Sequence, residues 1–507
     1  MYLIDILKND YAKHRAYRKT SLHPVRSVKK TAESYKAKQQ KLIDEFYNGL
    51  SEYKKSNSTD IAPPDKKLEG FRILSFNGDR MGKVIMYNGG IYRGIYKESV
   101  PAFKKLWETG LLQMLGIKGY IPKTEVTPYY TDDFPIILSH ETVTMSASSL
   151  WNDRMILDAL LLICLIKQLA LKSGFTLHDG HLNNVTFHNG RPVFTDIGSI
   201  VENKGQATIC DREILFTGCY RLISRLVGSS ILKHIQLYDE SNNMIWVGSR
   251  SYNDMVREYD VLLKAYLRYH LFHSGIRCFW LICRLFKAYD VRAEYIYALF
   301  DRSVGSDDGT NDKTYSECEH LLDALRSCGL AFSDITEVSG SGGAVAARVY
   351  SELQVPVSAI EADERNAEKA YGLISRKELP VNVYCFNYLY GTDEKILRSL
   401  TSDLVIGLDI SNSCMSYQNY YMDSVLNSLN KLTRSYIACT YHPLRKLNVK
   451  YQGEVENTEK AISSFDSVFE RFFETVDKRV YEGDTPDDCF VLYIGRKKTN
   501  EDDLSDK

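Results

Sequence analysis

The chain has 507 residues, too many for one ordinary hydrophobic core, so two or three domains are expected. Hydrophobic residues make up 44% and charged residues 25%, a composition typical of soluble globular proteins. The formal net charge of −1 provides no global field that would attract nucleic acid, and no nucleic-acid partner is expected.

The cysteines and the apolar stretches predict a cytoplasmic protein. The 11 cysteines are odd in number and scattered without a CxxC pair, which favours reduced thiols and argues against a zinc site. No basic segment followed by an apolar one opens the chain, so no secretory signal is predicted. In the most apolar run, residues 156–174, Asp158 and Lys167 bracket a core too short to span a bilayer, which predicts a buried helix and no transmembrane segment.

Residues 1–65 are predicted to form a basic helical extension and a linker. Residues 1–41 contain eleven Lys and Arg against three Asp and Glu. Two interpretations stay open: a solvated helix that packs on the body of the protein, or a helix that makes a peripheral contact with anionic lipid or an acidic partner.

Residues 66–300 combine a small sheet with a helical lobe, an α+β pattern. Three short β-type runs, one helix and one extended segment are predicted over residues 71–76, 82–87, 90–96, 99–115 and 120–130. A buried helix over residues 151–172 then leads into a polar loop, and apolar residues at helical spacing continue to residue 300.

That loop, LHDGHLNNVTFHNGRPVFTDIGS at residues 177–199, has the acid and amide spacing that phosphoryl transfer uses. Asp179 would take the acceptor's proton, and Asn184 and Asp196 would hold a metal ion. His181 adds a match to small-molecule and aminoglycoside-type phosphotransferases, which this stretch resembles. With the preceding sheet and helix, the motif predicts a kinase-like domain over residues 66–300.

Two features of the region depart from an active kinase. The turn FNGDRMGK has two glycines in the wrong arrangement to cover phosphates, and Arg93 stands where a strand lysine is expected. Glu108 on the next helix could pair with Arg93, since an arginine fork suits a structural ion pair as well as a phosphate. The sequence therefore predicts a degenerate kinase-like domain and weakens the case for Mg-ATP as its ligand.

Residues 301–315 are predicted to be a linker, residues 316–498 an α/β Rossmann-like domain, and residues 499–507 an acidic tail. After one helix, strands and helices alternate, which is the pattern of a doubly wound sheet. Five buried-type strands and a last strand are predicted over residues 334–340, 355–363, 381–389, 402–411, 434–442 and 489–498.

The first strand of this domain runs into a glycine-rich turn, EVSGSGGAVAA, at residues 337–347. Glycines let the backbone approach a ligand, and the following helix supplies unpaired N–H groups. Glu361 and Asp363 end the second strand, where a carboxylate suits a ribose diol. The spacing fits a dinucleotide or S-adenosyl-L-methionine. Glu337 before the glycines, and Asn387 placed to read an adenine amine, favour S-adenosyl-L-methionine.

These residues resemble class I S-adenosylmethionine-dependent methyltransferases, and the resemblance implies a cofactor site at the carboxyl ends of strands one to four. The predicted cofactor-binding residues are Glu337, Ser339, Gly340, Ser341, Gly342, Gly343, Glu361, Asp363 and Asn387. Two departures stand out. Ser339 occupies the place of the family's first glycine, and the Asp-Pro-Pro signature of amino-group N-methyltransferases is absent after strand four.

Methyl transfer needs mainly in-line positioning, and an oxygen acceptor also needs a base. The resemblance places Asp409 at the end of the fourth strand beside the acceptor, and His442 follows the fifth strand. Both are candidate catalytic bases. The sequence also allows a capping or turn role for Asp409 and a loop role for His442.

The whole arrangement resembles nodulation-protein-type methyltransferases of bacteria, in which a degraded kinase-like region precedes a methyltransferase domain. The resemblance covers about residues 71–498. It implies an enzyme that methylates a small-molecule, glycan or glycolipid acceptor, with the kinase-like domain binding or presenting that acceptor. Two alternatives stay open: a phosphotransferase or bifunctional enzyme using Asp179, Asn184 and Asp196 with Mg-ATP, and a non-catalytic assembly protein.

Overall fold

The computed structural model divides the chain into two compact units. The described residues are 25–74, 80–205, 208–219, 222, 292–300, 312–389, 394–410, 421–443, 458–482 and 489–498. The first unit comprises Met1–Ser148, Met155–Thr186 and Pro192–Arg302, and the second comprises Ser149–Arg154, Phe187–Arg191 and Ser303–Lys507. The predicted acidic tail, the first 24 residues and most of the helical region predicted between residues 212 and 291 lie outside the described residues.

The described part of the first unit begins with a long helix and then alternates short strands with helices. In chain order the elements are α1 Val25–Ser56, β1 Lys66–Lys67, β2 Arg72–Ile73, β3 Gly82–Tyr87, β4 Gly90–Ile95, α2 Val100–Glu108, α3 Leu111–Ile117, β5 Thr124–Val126, β6 Tyr129–Tyr130, β7 Ile136–His140, α4 Asp153–Lys172, β8 Phe175–Leu177, β9 Val185–His188, β10 Arg191–Phe194, β11 Ile200–Glu202, α5 Cys210–Glu213 with a π-helical turn Ile214–Cys219, and α6 Ala293–Phe300.

A small antiparallel sheet, as the β-type runs predict, opens this unit in the order β2-β3-β4-β7-β5. Asn88 and Gly89 join β3 to β4 with φ angles of 48° and 76°. Positive φ at both central residues is what a type I′ turn requires, and Asn-Gly supplies it at little cost. Ile85, Phe134 and Ile137 are buried together on the sheet.

The segment predicted as one helix over residues 99–115 is two helices. α2 ends at Glu108 and α3 begins at Leu111, because Gly110 between them adopts a left-handed φ of 73°. A left-handed residue ends the helical ladder, which is why the apolar spacing alone did not reveal the break.

The described part of the basic helix packs on the first unit. On α1, Phe46 and Leu50 are buried, and the Tyr47 hydroxyl donates to the Leu169 carbonyl of α4 at 2.5 Å. Residues 25–56 therefore pack against another helix of the first unit, and a contact of the basic N-terminal residues with lipid or an acidic partner stays a prediction. α4 itself is buried along most of its length, as predicted, and begins at Asp153. Among the described helices, none combines the length and the apolar character that crossing a bilayer demands.

The second unit alternates helices and strands. In chain order its elements are α7 Asp312–Cys328, β12 Ile335–Glu337, α8 Ala344–Leu353, β13 Val357–Glu361, α9 Glu364–Arg376, β14 Val381–Cys385, α10 Glu394–Ser399, β15 Ser402–Gly407, α11 Met422–Leu432, β16 Thr433–Tyr441, α12 Thr458–Phe472, β17 Phe473–Tyr481 and β18 Phe490–Lys497. α7 begins at Asp312, inside the stretch predicted as a linker.

These strands form one seven-stranded sheet in the order β14-β13-β12-β15-β16-β18-β17. The first five strands are parallel, and β18 runs antiparallel to both of its neighbours. All six predicted strands are present. The seventh, β17, was missed because only one of its nine side chains, Phe473, is buried and four are charged, so it lacks the apolar run of a buried strand.

Two short segments that the sequence assigns to the kinase-like region belong to the second unit. They are Ser149–Arg154 and Phe187–Arg191. The ring of Phe187 packs edge-on against Trp151 at 5.0 Å and against Tyr371 of α9 at 5.6 Å. Aromatic contacts between residues distant in the chain account for this grouping, which local sequence pattern does not reveal.

Candidate functional site

The order of the seven-stranded sheet reverses at β12, which lies between β13 and β15. Loops that leave the carboxyl ends of strands on the two sides of such a point turn away from each other. They open a crevice, the usual ligand site of open parallel sheets. The glycine-rich turn, residues 338–343, follows β12 and therefore leaves the sheet at the point where the strand order reverses.

The glycines of the turn share positive φ angles but differ in their surroundings. Gly340, Gly342 and Gly343 have φ of 65°, 63° and 81°. A Cβ atom on Gly340 would meet nothing within 4 Å, whereas one on Gly343 would lie 2.8 Å from the Cα of Ala370 in α9. Gly340 therefore borders open space that a ligand can enter. Gly343, predicted to admit the ligand, instead allows close packing at the start of α8.

Two buried carboxyl groups end the strands beside this turn. Glu337 ends β12 and Glu361 ends β13, and both residues are fully buried. Glu337 Oε1 accepts the N–H of Ser339 at 2.7 Å, and Glu361 Oε1 accepts the N–H of Gly343 at 3.2 Å. The Oε2 atom of each is buried without a hydrogen-bond partner among the described residues. Buried polar atoms normally have partners, so these two oxygens are the atoms of the turn region that are left to interact with a ligand.

The electrostatics of this pair differ from those of surface carboxylates. Burial raises the pKa of Glu337 to about 7. Burial, and next the charge of Glu337, raise the pKa of Glu361 to about 8. Two desolvated carboxylates repel each other, so the pair retains protons near neutral pH. A ligand that brings positive charge or hydroxyl donors would stabilise the ionised form.

The two serines of the turn serve its internal structure. Ser339 Oγ accepts the N–H of Leu408 at 2.9 Å, which ties the turn to the residue after β15. Ser341 Oγ accepts the N–H of Val345 at 3.2 Å in the first turn of α8. Both positions therefore shape the turn.

Asp363 and Asn387, the other two predicted cofactor-binding residues, make local hydrogen bonds. Asp363 caps α9 by accepting the N–H groups of Arg365 and Asn366. Asn387 Oδ1, the oxygen expected to accept an adenine amine, accepts the N–H of Leu389 at 2.9 Å. Local geometry accounts for the short polar residue at both positions.

The two candidate bases lie together at the carboxyl ends of β15 and β16. His442 Nε2 is 3.7 Å from Asp409 Oδ1 and 3.0 Å from Oε1 of Glu317 on α7. The Thr440 hydroxyl donates to Glu317 Oε2 at 2.5 Å and accepts the N–H of Asp409 at 2.6 Å. The structure thus joins the two predicted residues and adds two that sequence reasoning missed, Glu317 and Thr440.

Residues of the first unit that the sequence assigned to a kinase-like site also meet, though with different partners from those predicted. Arg93 is buried on β4, and its guanidinium lies 3.7 Å from Asp196 Oδ1. Asp196 further accepts the Gly198 N–H at 3.1 Å and the Ser199 hydroxyl at 2.5 Å. The predicted partner, Glu108, is exposed at the end of α2, and no described ion pair joins it to Arg93.

Asp179, His181 and Asn184 lie on the loop between β8 and β9. Asp179 Oδ1 is 3.6 Å from His178 Nε2, and the Asn184 carbonyl accepts the Thr195 N–H at 2.8 Å, beside Asp196. Asp179 Oδ1 and Asn184 Nδ2 are buried without a hydrogen-bond partner among the described residues. His181 precedes the short helical turn that contains Asn184.

Glu213 on α5 is a further acid near this loop that sequence reasoning missed. Its Oε2 accepts the Gly180 N–H at 2.6 Å. Burial, and to a lesser extent the charge of Asp179, raise the pKa of Glu213 to about 7. Nothing in the sequence around Glu213 indicates that it contributes to a site, whereas the position of Glu317 does. Glu317 precedes Leu321 by four residues, which places an acid on the apolar face of α7.

No family model and no curated protein matches the chain. Among solved structures, the N-methyltransferase NodS from Bradyrhizobium japonicum matches at 16% identity with a TM-score of 0.28, over 38% of this chain and 99% of that one. The magnesium protoporphyrin IX methyltransferase from Synechocystis, with bound SAH, matches at 10% identity with a TM-score of 0.29, over 39% and 90%. These neighbours are methyltransferases, but the likeness is too distant to assign an activity.

Proposed function

We propose that this chain is an S-adenosyl-L-methionine-dependent methyltransferase that acts on a small-molecule, glycan or glycolipid acceptor. The proposal rests on the buried acids Glu337 and Glu361 beside the open turn at Gly340. A sulfonium and an ammonium supply positive charge, and a ribose supplies two hydroxyl donors for a buried carboxylate. Bound there, S-adenosyl-L-methionine would supply an activated methyl group.

Glu337 argues against a dinucleotide. A pyrophosphate at this turn would lie beside this buried acid, and its negative charge would further disfavour ionisation of Glu337. The sheet also departs from the common dinucleotide-binding order, in which the sixth strand follows the fifth. Here β18, antiparallel to its neighbours, lies between β16 and β17.

Calorimetric titration with S-adenosyl-L-methionine, NADH and Mg-ATP tests this proposal. We expect S-adenosyl-L-methionine to bind with release of protons at pH 7, because a cationic ligand ionises Glu337 and Glu361. The heat would then change with the ionisation enthalpy of the buffer. Tight binding of NADH without binding of S-adenosyl-L-methionine would contradict the proposal. Binding of none of the three would favour a non-catalytic assembly protein.

A phosphotransferase centred on Asp179, Asn184 and Asp196 is the second candidate. The buried atoms of Asp179 and Asn184 without described hydrogen-bond partners favour it. Against it, Asp196 already contacts Arg93, so a metal ion would have to displace a buried cation. We therefore expect that any heat measured with Mg-ATP is the same for the wild type and for Asp179→Ala. We also expect the kinase-like region to bind or present the acceptor without phosphorylating it.

A cytoplasmic location is part of the proposal. The described cysteines, including Cys164, Cys318 and Cys439, are free thiols, which suits a reducing compartment. A peripheral contact of the basic N-terminal residues with anionic lipid belongs to the proposal as well, and a vesicle sedimentation assay with phosphatidylserine tests it.

A further inference from the structure

We propose that the Glu337–Glu361 pair distinguishes S-adenosyl-L-methionine from its demethylated product, S-adenosyl-L-homocysteine, by the positive charge on the cofactor's sulfur. This inference rests on the proposed methyltransferase function and adds a property of the same site. The pair would bind the sulfonium form more tightly than the neutral thioether, so methyl transfer itself would weaken the binding of the product.

The two carboxyl groups lie on one face of the sheet. Glu337 of β12 is paired with Ala359 of β13, and Glu361 lies two residues further along β13. Residues that are paired directly share a face, and so do residues two positions apart on one strand. The charge of each acid acts on the other, which raises the pKa of Glu361 after burial has done so. A positive charge brought to one carboxyl group therefore acts on both.

Each acid uses one oxygen to hold the glycine-rich turn and keeps the other for a ligand. The Oε1 atoms accept the N–H groups of Ser339 and Gly343, at 2.7 Å for Glu337 and 3.2 Å for Glu361. The Oε2 atoms are buried without a hydrogen-bond partner among the described residues. The turn is thus fixed without a ligand, and the Oε2 atoms are left to respond to the charge that a ligand brings.

The titratable groups that face the pair bring no positive charge. Glu337 and Asp363 act on Glu361, and both are acids. On α7, Cys318 interacts with Glu337, but burial raises the pKa of its thiol to about 12, so this thiol is neutral near pH 7. On β14, Cys385 is paired with Glu361, and a thiol carries no positive charge in either protonation state.

Two cations on the neighbouring helices do not neutralise the pair. Arg348 of α8 pairs with Glu319 at 2.6 Å and also with Glu352. On α9, the Cβ atom of Lys369 would lie 3.4 Å from a Cβ atom built on Gly342, but the lysine side chain is exposed and water screens its charge. A positively charged ligand would therefore supply the counter-charge that these described helices do not.

The covalent structure of the ligand keeps its sulfur close to a carboxylate that holds the ribose. One methylene carbon joins the sulfur to the ribose, so the sulfur lies within about 6 Å of the 3′-hydroxyl. A unit charge about 8 Å from a buried carboxylate changes its ionisation equilibrium by roughly 10-fold or more. The two ligands share the ribose and the ammonium group, so the charge on sulfur is what separates them.

Methyl transfer removes this charge. As the acceptor atom forms a bond to the methyl carbon, the carbon–sulfur bond breaks and its electron pair stays on sulfur. The proton of the acceptor enters the solvent. Glu337 and Glu361, which then face one positive charge fewer, take up protons from the solvent. The pair thus becomes a weaker partner for the product, which favours its release.

Calorimetric titration with S-adenosyl-L-methionine, S-adenosyl-L-homocysteine and sinefungin, which carries an ammonium group in place of the sulfonium, tests the inference. Burial raises the pKa of Glu337 to about 7 and that of Glu361 to about 8, so the pair is charged above these values and neutral below them. We expect S-adenosyl-L-homocysteine to bind about 10-fold more weakly than the other two ligands at about pH 8.5, and within about threefold of them at about pH 5.5. A ratio of affinities that does not change with pH would overturn the inference.

Proton release is a second measurement on the same complexes. Titrations near pH 7 in buffers of different ionisation enthalpy count the protons that leave the protein when a ligand binds. S-adenosyl-L-methionine should release more protons than S-adenosyl-L-homocysteine, because its additional positive charge ionises more of the pair. Equal release by both ligands would contradict the inference.

Glu337→Gln tests the pair directly. The amide oxygen can still accept the Ser339 N–H but carries no charge, so the preference of about 10-fold at about pH 8.5 should fall to about threefold. Glu352→Gln is the matched control, because Glu352 lies near the end of α8 distant from the turn and pairs with Arg326 at 2.5 Å. It should leave the preference unchanged. The same reduction in both variants would attribute the preference to net charge and overturn the inference.

The wild-type titrations separate the two levels of the proposal. If none of the three ligands binds, the methyltransferase function is refuted and the inference with it. If S-adenosyl-L-methionine binds but the two natural ligands keep one ratio of affinities at every pH, only the charge discrimination is refuted. If Glu337→Gln does not fold, the wild-type pH profile still decides the inference.

Discussion

The acidic side chains of the two units differ in how many of their oxygens have partners. In the first unit, Asp196 contacts Arg93 at 3.7 Å and accepts two hydrogen bonds from its own loop. In the second, Glu337 and Glu361 each keep one buried oxygen without a partner among the described residues. The Asp196 carboxylate thus has partners within its own unit, whereas each glutamate of the pair has one buried oxygen left to interact with a ligand. The sequence predicted a degenerate kinase-like site and a cofactor site, and the hydrogen-bond partners of their acids differ in the same direction.

The variant with the largest expected effect tests whether Arg93 is the partner that stabilises the Asp196 carboxylate. Arg93→Met should lower the free energy of unfolding by about 3 kcal/mol, because it leaves a partly buried carboxylate unpaired. Urea denaturation measures this loss, and the affinity for S-adenosyl-L-methionine should not change. Lys67→Met, which breaks an exposed ion pair with Asp132, is the control and should leave the free energy of unfolding nearly unchanged, because water screens exposed charges. A similar loss of unfolding free energy in both variants would show that the Arg93–Asp196 pair is no more important than an exposed ion pair.

The next test concerns Glu337 and Glu361, whose Oε2 atoms have no hydrogen-bond partner among the described residues. Glu361→Gln should weaken binding of S-adenosyl-L-methionine about 100-fold in calorimetry, because hydrogen bonds to a carboxylate are stronger than those to an amide. Asp363→Asn is a matched comparison on the same loop and should change affinity less than about threefold, since Asn also caps a helix. Equal losses would place the ribose on Asp363 instead.

A pair of glycine variants separates ligand access from packing. Gly343→Ala should destabilise the protein by about 2 kcal/mol, because its Cβ overlaps the backbone of Ala370 in addition to the strain of φ 81°. Gly340→Ala should lower the free energy of unfolding by about 1 kcal/mol, from backbone strain alone. It should also weaken binding of S-adenosyl-L-methionine about 10-fold. Thermal unfolding and calorimetry measure the two effects. If only Gly343→Ala weakened cofactor binding, Gly343 and not Gly340 would be the glycine that admits the ligand.

A further test concerns the pH dependence of stability. The pKa of Glu337 and of Glu361, about 7 and about 8, lie above the ordinary value of 4.5. The folded state therefore binds more protons than the unfolded state, so stability is full below about pH 4.5 and falls as pH rises to about 8. The melting temperature of the unliganded protein should decrease over this range, and less so in Glu361→Gln. Affinity for S-adenosyl-L-methionine should increase over the same range, and a flat profile for both would contradict the buried pair.

Local pattern predicted much of the second unit and less of its site. The buried parallel strands, the glycine turn and the acid at the end of β13 follow from short apolar runs and turn residues. The Glu317–His442 contact joins residues 125 positions apart, so spacing gives no sign of the partner. The break at Gly110 was missed because apolar spacing continues across it. The pairing of Arg93 with Asp196 instead of Glu108 depends on how β4 approaches a distant loop.

The edge strand β17 also bears on how the protein behaves in concentrated solution. Its exposed side chains include Glu474 and Lys478, and its pairing with β18 shifts register between Thr475 and Asp477. Charge and a bulge on an open edge discourage another chain from adding a strand. The charges that hid β17 from sequence analysis thus oppose edge-to-edge aggregation, even though Val480 is 58% exposed there.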